Sequence, residues 1–280
     1  MKKTIAAMLL PLLLAGFLIM TLNTSCNSCK NRASQKKLKK VEMQQEVDTI
    51  EKTIESNVYP LPTSAEVIKM LTDLEVGYIF GISNPVENSK KYILSTDRAI
   101  NLGGYGADLS YATLYNMQQQ VINYLDAIRA LANELNMSQI YDASLYEKIK
   151  TNFDNRDELV GILTGAFEKT YAYLHNNDQK TLAMLVVGGA WIEGMYLTTH
   201  VSEAAYQVAG ISRNLLEQKK SFDLFLEIAE PYRNEKDISD FLKVLEPIKV
   251  VYKDLGTSLT QKNIIDITKA IEGIRAQIIK

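Results

Sequence analysis

Residues 117–135 read MQQQVINYLDAIRALANEL, and this stretch decides the fold class. Its apolar side chains recur at alternating steps of four and three residues, at Met117, Val121, Tyr124, Ile128, Leu131 and Leu135. This spacing places them on one face of an α-helix, as in the helices of a bundle. The stretch therefore predicts a long helix that packs through a single apolar face.

The same periodicity extends over most of the remaining chain. Apolar residues recur every three or four positions from Leu159 to Leu174 and again from Ile264 to Ile278, and Thr63-x-x-Glu66 is a typical helix start. No long stretch alternates with period two, and no Asn-Gly or Asp-Gly turn occurs. We predict an all-α, multi-helix bundle of about nine or ten helices over residues 41–280.

Proline and small residues predict details of this bundle. We expect one helix over Asp237–Leu255 with a kink at Pro247, because proline disturbs a helix interior. Another helix is expected from about Ser89 to Tyr115. The spacing Gly161-x3-Gly165 predicts a close crossing of two helices.

One motif occurs twice, 85 residues apart. The matching stretches are Gly103-Gly104-x3-Asp108-x2-Tyr111 and Gly188-Gly189-x3-Glu193-x2-Tyr196. Glycine inside a helix costs roughly 1 kcal/mol relative to alanine, so both pairs need a reason. Close helix packing at Gly103, Gly104, Gly188 and Gly189 supplies one. The repeat leaves open whether the bundle is single or consists of two pseudo-repeated halves, at about residues 60–155 and 156–280.

Polar and aromatic residues of the two motifs form a candidate ligand site. If the motifs pack together, Asp108 and Glu193 approach each other, and paired carboxylates near a histidine can bind a divalent cation or perform acid–base chemistry. The alternative is a structural network in which tyrosine hydroxyls satisfy buried acids. The candidate ligand-binding residues are Asp108, Tyr111, Trp191, Glu193, Tyr196 and His200.

Signatures of catalysis and of metal binding are absent from the sequence. The chain has only two histidines, and the order at His200 is His-x-x-Glu rather than the Glu-x-x-His of di-iron bundles. There is no Gly-x-Ser-x-Gly elbow, no phosphate-binding loop, and no cysteine after Cys29. We predict a non-enzymatic protein with no catalytic residue, no metal and no cofactor.

Charge separates the first 40 residues from the rest. They hold eight of the 31 basic residues and none of the 33 acidic ones, so residues 41–280 carry a net charge of −10. An acidic body argues against nucleic acid as a partner. The basic residues of 26–40 form a tether that either contacts anionic lipid head groups or remains solvated.

The N-terminus has the pattern of an export signal. Lys2-Lys3 precede an uncharged run from Ile5 to Met20, which is shorter than the roughly 20 residues of a membrane span. We predict a signal peptide over residues 1–25. The following Leu-Asn-Thr-Ser-Cys, residues 22–26, resembles the lipobox of bacterial lipoproteins, which implies lipidation of Cys26.

The chain as a whole resembles the all-helical lipoproteins common in Bacteroidota. The resemblance rests on Cys26, the basic tether, and the sequence Gly-Tyr-Gly-Ala-Asp-Leu-Ser-Tyr at residues 104–111. It implies an anchor in the cell envelope, and the lack of acidic residues just after Cys26 favours the periplasmic face of the outer membrane.

These sequence features support two functional hypotheses. The first is a lipid-anchored, non-enzymatic module that binds an unknown protein partner or organises the envelope. The second is a small-ligand or metal-binding lipoprotein that uses a cleft near the two Gly-Gly helices. A closed crossing of those helices favours the first hypothesis, and an open pocket lined by both acids favours the second.

Overall fold

The computed structural model describes residues 77–202 and 209–279, including their side chains except those of 201–214. All of these residues belong to one compact unit, Lys52–Lys280. Over the described ranges the chain forms nine α-helices, two short 3₁₀ turns and no strand. The prediction of an all-α bundle of about nine or ten helices is confirmed. The expected signal peptide, the tether, Cys26 and the helix start at residues 63–66 lie outside the described residues.

The nine α-helices have the following bounds in chain order: α1 Ser95–Leu114, α2 Gln118–Glu134, α3 Ala143–Thr151, α4 Arg156–Asn176, α5 Lys180–Ser202, α6 Ala209–Ala229, α7 Lys236–Val244, α8 Glu246–Lys253 and α9 Gln261–Ile278. The two 3₁₀ turns are Val86–Lys91 and Glu230–Tyr232. The long periodic stretch at residues 117–135 forms α2, whose buried residues include Val121, Tyr124, Ile128 and Leu131.

Two expected helices are divided in the structure. Residues 86–91 form a separate 3₁₀ turn before α1 begins at Ser95, so the stretch expected to start near Ser89 is not one helix. Pro247 does more than kink its helix: α7 ends at Val244, and Pro247 lies in the first turn of α8. A proline ring and its missing N–H are accommodated in a first turn but not in a helix interior.

The start of α9 shows how local sequence fixes a helix end. The Thr260 hydroxyl accepts a hydrogen bond from the Asn263 amide at 3.2 Å, and the Asn263 side chain accepts one from the Thr260 amide at 2.9 Å. This reciprocal capping box satisfies two N–H groups that the first turn leaves without helical partners. It fixes the start of the helix whose last turn carries Arg275.

Helix α5 is the centre of the bundle and packs against α1, α4, α6, α7 and α9. Its residues 183–195 are buried without interruption, which requires apolar or small residues on every face. Among the described residues, Lys180–His200 is the one helix long and apolar enough to cross a membrane, with mean hydropathy 1.3, but 78% of that window is buried inside the protein. We interpret α5 as a core helix.

Candidate functional site: a buried polar cluster

The two Gly-Gly motifs lie on helices that pack directly on each other. A Cβ atom on Gly103 would lie 1.9 Å from the Val186 carbonyl oxygen, and one on Gly189 would lie 1.9 Å from the Ile100 carbonyl oxygen. Neither distance is possible for a real side chain. The α1–α5 crossing is therefore a contact between backbones, which only glycine permits at these two positions.

The other predicted packing glycines have different surroundings. A Cβ atom on Gly188 would overlap the Phe241 ring at 2.4 Å, so this glycine accommodates an aromatic side chain rather than a helix backbone. A Cβ atom on Gly104 would meet the Cβ of Glu193 at the ordinary distance of 3.8 Å. The expected crossing at Gly161 and Gly165 is wrong for the described residues, because a Cβ atom at either position meets none of their atoms within 4 Å.

Contacts along the crossing show that α1 and α5 run in the same direction. Gly189 faces Ile100, Glu193 lies beside Gly104, and further along Leu197 packs in one apolar cluster with Ala107. This arrangement places Glu193 beside Gly104, one helical turn before Asp108. Asp108 and Glu193 are both buried and interact electrostatically, so the structure brings together the two carboxylates that the sequence paired.

Glu193 is paired with Arg275 of α9. The arginine donates from Nε to Oε2 and from Nη2 to Oε1, each at 2.7 Å, so both carboxylate oxygens are occupied. Burial lowers the pKa of Arg275, but the hydrogen bonds and negative charge of Glu193 outweigh it and raise that pKa overall. Two parallel charge-assisted bonds of this kind fix both the distance and the orientation of the two helices.

Tyr196 and His200 continue the contact between α5 and α9. The Arg275 guanidinium lies 3.8 Å from the centre of the Tyr196 ring, and the His200 ring lies 3.9 Å from the same ring. His200 Nδ1 is 2.8 Å from the Tyr196 carbonyl oxygen, and Nε2 is 3.0 Å from Oε1 of Glu272. Both ring nitrogens of the histidine therefore have partners within the fold.

Asp108 lies beneath the segment that precedes the first 3₁₀ turn. Its Oδ2 accepts a hydrogen bond from the Asn84 amide at 3.2 Å, whereas Oδ1 has no hydrogen-bond partner among the described residues. Burial raises the pKa of the Asp108 carboxyl group well above its usual range, and the nearby Glu193 charge raises it further. Arg275, the Ser83 hydroxyl and the Asn84 amide lower that pKa without reversing the shift.

Residues 77–85, which we call the strap, cover this cluster. The Ile79 amide donates to the Tyr111 hydroxyl at 3.0 Å, and Arg275 Nη2 donates to the Ile82 carbonyl oxygen at 3.2 Å. The strap is thus held by side chains of both α1 and α9. Between these two attachments, Phe80 is 69% exposed and precedes Gly81, whose φ of +81° is a left-handed conformation suited to glycine.

The structure does not bring Trp191 to the polar cluster. Two residues before Glu193 on a helix, it lies on the opposite face. Its ring packs 4.9 Å from the Phe222 ring and 6.3 Å from the Tyr252 ring, centre to centre. Trp191 is a core residue between α5, α6 and α8, and the candidate set reduces to Asp108, Tyr111, Glu193, Tyr196 and His200.

Three residues that complete the cluster were not predicted from the sequence. Arg275 follows the buried Ile274 at the edge of the apolar face of α9, which was a usable signal for a partly buried charge. Ser83 and Asn84 lie in a loop, where no periodicity marks a residue as buried. Contacts that hold this loop come from α1 and α9, more than 20 and 190 residues away along the chain.

Neither the other side-chain clusters and grooves of the described residues nor the comparisons with known proteins identify a cofactor or a family. Within the described ranges, no group of three or more His, Cys, Asp or Glu residues is placed to hold a metal ion. An open groove of about 580 Å³ lies elsewhere, between the 3₁₀ turn Val86–Lys91 and α2, and none of the candidate ligand-binding residues lines it. Comparison with protein-family models, with curated proteins and with solved structures found no match for this chain.

Proposed function

We propose that this protein is a lipid-anchored, non-enzymatic helical module of the cell envelope that binds a protein partner. The main support for the proposal is that Glu193 and His200 of the polar cluster are already paired with other residues of the fold. Both oxygens of Glu193 bind Arg275, and both ring nitrogens of His200 have partners. Neither residue is a free base, acid or ligand, so the cluster is suited to holding helices together.

The closed α1–α5 crossing supports the same interpretation over the ligand-binding alternative. At Gly103 and Gly189 the two backbones approach until no methyl group fits between them. A cleft between the Gly-Gly helices would need space at this level. Buried charges with complete partners are typical of structural ion pairs, which are strongly destabilising when one partner is removed.

The anchor part of the proposal rests on the sequence. Cys26 follows a signal-like segment and precedes a basic tether, so an N-terminal lipid would hold an acidic body close to a membrane. We place the anchor on the periplasmic face of the outer membrane. A body with no cysteine beyond Cys29 keeps its fold by packing alone in that compartment.

The anchor is tested by fractionating cells that express full-length variants. We expect Cys26→Ala protein to leave the membrane fraction, whereas Cys29→Ala protein stays, because only the first cysteine lies in the lipobox-like sequence. Metabolic labelling with a clickable fatty acid should mark the wild type and Cys29→Ala but not Cys26→Ala. Membrane retention of unlabelled Cys26→Ala protein would contradict a lipid anchor.

The binding mode is tested by two parallel measurements on the wild-type protein. Chemical cross-linking in native membranes should yield a discrete product with a partner protein. Thermal unfolding should be unchanged by a panel of divalent cations and sugars. A stabilising compound whose effect is lost in Glu193→Gln would instead support the ligand-binding alternative and overturn the first proposal.

A further inference from the structure

Two buried oxygen atoms where the strap meets α1 form no hydrogen bond of normal geometry within the described ranges. They are Oδ1 of Asp108 and Oγ of Ser83, neither of which has a partner of normal geometry in the part of the chain that the structure describes. The Ser83 hydroxyl is nevertheless close enough to the carboxyl group to affect its ionisation. Unpaired buried polar atoms are rare in folded proteins and require an explanation.

An ionised Asp108 forms no ion pair or hydrogen bond with a cation among the described residues. Arg275 is the cation that acts on it, and its Nε and Nη2 already donate to Glu193 and to the Ile82 carbonyl oxygen. A single proton on Oδ1 removes the charge and supplies a donor. A hydroxyl oxygen such as Ser83 Oγ can accept that donor. The Ser83 hydroxyl could also donate to an ionised carboxylate, but only the protonated form pairs the two atoms without a buried charge.

We propose that Asp108 binds a structural proton, donated from its carboxyl group to Ser83 Oγ, and that this proton keeps the strap docked on the bundle. The proposal goes beyond the function proposed above and does not depend on it. The strap precedes the 3₁₀ turn Val86–Lys91 in the chain, and its release frees it from α1 and α9.

Of the titratable groups beneath the strap, Asp108 is the one whose ionisation changes the net charge there. Glu193 and Arg275 cancel each other. Burial raises the pKa of the surrounding tyrosines, which therefore stay neutral well above pH 7. The groups facing Asp108 are Tyr78 in the strap, Tyr105 on α1, Tyr124 on α2, Glu193 and Tyr196 on α5, and Arg275 on α9.

Loss of the proton favours opening of the strap rather than of the helices. A buried carboxylate must regain water or a cation, and the element covering it must yield. Helices α1 and α5 are in backbone contact. The strap is instead held by Ile82 in a small apolar cluster and by separate side-chain hydrogen bonds to Asp108, Tyr111, Arg275, Tyr92, Asn101 and Tyr105. Raising the pH should therefore populate a state in which the strap is detached and Asp108 is hydrated.

The protonation of Asp108 is tested directly by infrared difference spectroscopy on the full-length wild-type protein at pH 7, with Asp108→Asn as the reference. We expect the wild type to show the C=O band of a protonated carboxylic acid that Asp108→Asn lacks. If the substitution instead removes a carboxylate band, Asp108 is ionised and the proposal is wrong. Carbon-13 labelling of aspartate gives the same answer from the Asp108 Cγ shift in the wild type alone.

Strap release is tested by chymotrypsin cleavage after Tyr78 and Phe80 between pH 7 and 8.5, normalised to cleavage of a peptide of residues 77–85. In the wild type the normalised rate should rise with pH, by at most about tenfold per pH unit, as the ionised fraction does below the pKa. In Asp108→Asn it should be slow and independent of pH, because the amide can donate to Ser83 Oγ without charge. The exposed-residue control Asp157→Asn should follow the wild type. A wild-type rate that ignores pH, or equal pH dependence in Asp108→Asn, would overturn the proposal.

Discussion

Gly103 of α1 and Gly189 of α5 lie where each helix touches the backbone of the other. A Cβ atom at either position would lie 1.9 Å from a carbonyl oxygen of the opposite helix. The same crossing places Glu193 beside Gly104, where its charge acts on Asp108 one turn further along α1. The position of the polar cluster therefore follows from two glycines that contribute no side chain to it.

Gly103→Ala and Gly189→Ala should each destabilise the protein by about 1–3 kcal/mol or more, because the two helices must separate to admit a methyl group. Gly104→Ala is the matched control. Its Cβ would make an ordinary 3.8 Å contact, and alanine gains about 1 kcal/mol of helix propensity. Urea unfolding measures all three. Equal stability of Gly103→Ala and Gly104→Ala would show that the crossing is not closed.

Gly161→Ala and Gly165→Ala should stabilise the protein, in contrast to the expectation from their spacing. Neither added Cβ meets an atom of residues 77–202 or 209–279 within 4 Å, and both positions lie inside α4. The gain should be roughly 0.5–1 kcal/mol each, since alanine loses less conformational entropy in a helix than glycine. A rise in the urea midpoint at constant slope checks this, and a fall would indicate a packing partner at these glycines.

Helix periodicity predicted the fold class and much of the core because it depends on local sequence. The stripe of α2 and the residues Ile264, Ile267, Ile271 and Ile274 of α9 are buried as the three- and four-residue steps require. The ends of helices were less predictable: a proline within a periodic stretch marks either a kink or the first turn of a new helix, and Pro247 alone does not show which. Packing against other elements decides between them.

The polar cluster was predicted only in part, for a physical reason. The motif that occurs twice, 85 residues apart, pointed to Asp108 and Glu193, and the structure brings them together. Their partners lie in a loop and on the last helix, and no local pattern couples Asn84 or Arg275 to these acids. Trp191 was included in the site because it is close to Glu193 in sequence. Residues two positions apart on a helix, however, face nearly opposite directions.

Stability should fall with increasing pH in a manner that depends on Asp108. Burial and Glu193 raise the pKa of its carboxyl group in the folded state above the value of 3.8 for a free side chain. The folded state then binds more protons than the unfolded state, so the unfolding free energy decreases from about pH 4 upward until the folded pKa is passed. The slope is at most about 1.4 kcal/mol per pH unit for one group.

Urea unfolding of the wild type and Asp108→Asn at pH 5, 6, 7 and 8 isolates this contribution. The stability of the wild type relative to Asp108→Asn should decrease steadily across the series. Exposed carboxylates contribute equally to both proteins and cancel in the difference. A difference that is constant with pH would mean that the folded and unfolded states bind the Asp108 proton equally.

The most direct test of a structural polar cluster is the coupling energy between Glu193 and Arg275, from urea unfolding of Glu193→Gln, Arg275→Met and the double variant. Each single variant leaves a buried group without its partner and should lose about 3–5 kcal/mol. The double variant should lose much less than the sum, with a coupling of about 2 kcal/mol or more. The exposed Arg233–Glu230 pair, at 2.7 Å, is the control and should couple by about 0–1 kcal/mol. Single losses below about 1 kcal/mol that simply add would contradict the account, because Glu193 and Arg275 would then be free for a role other than holding α5 on α9.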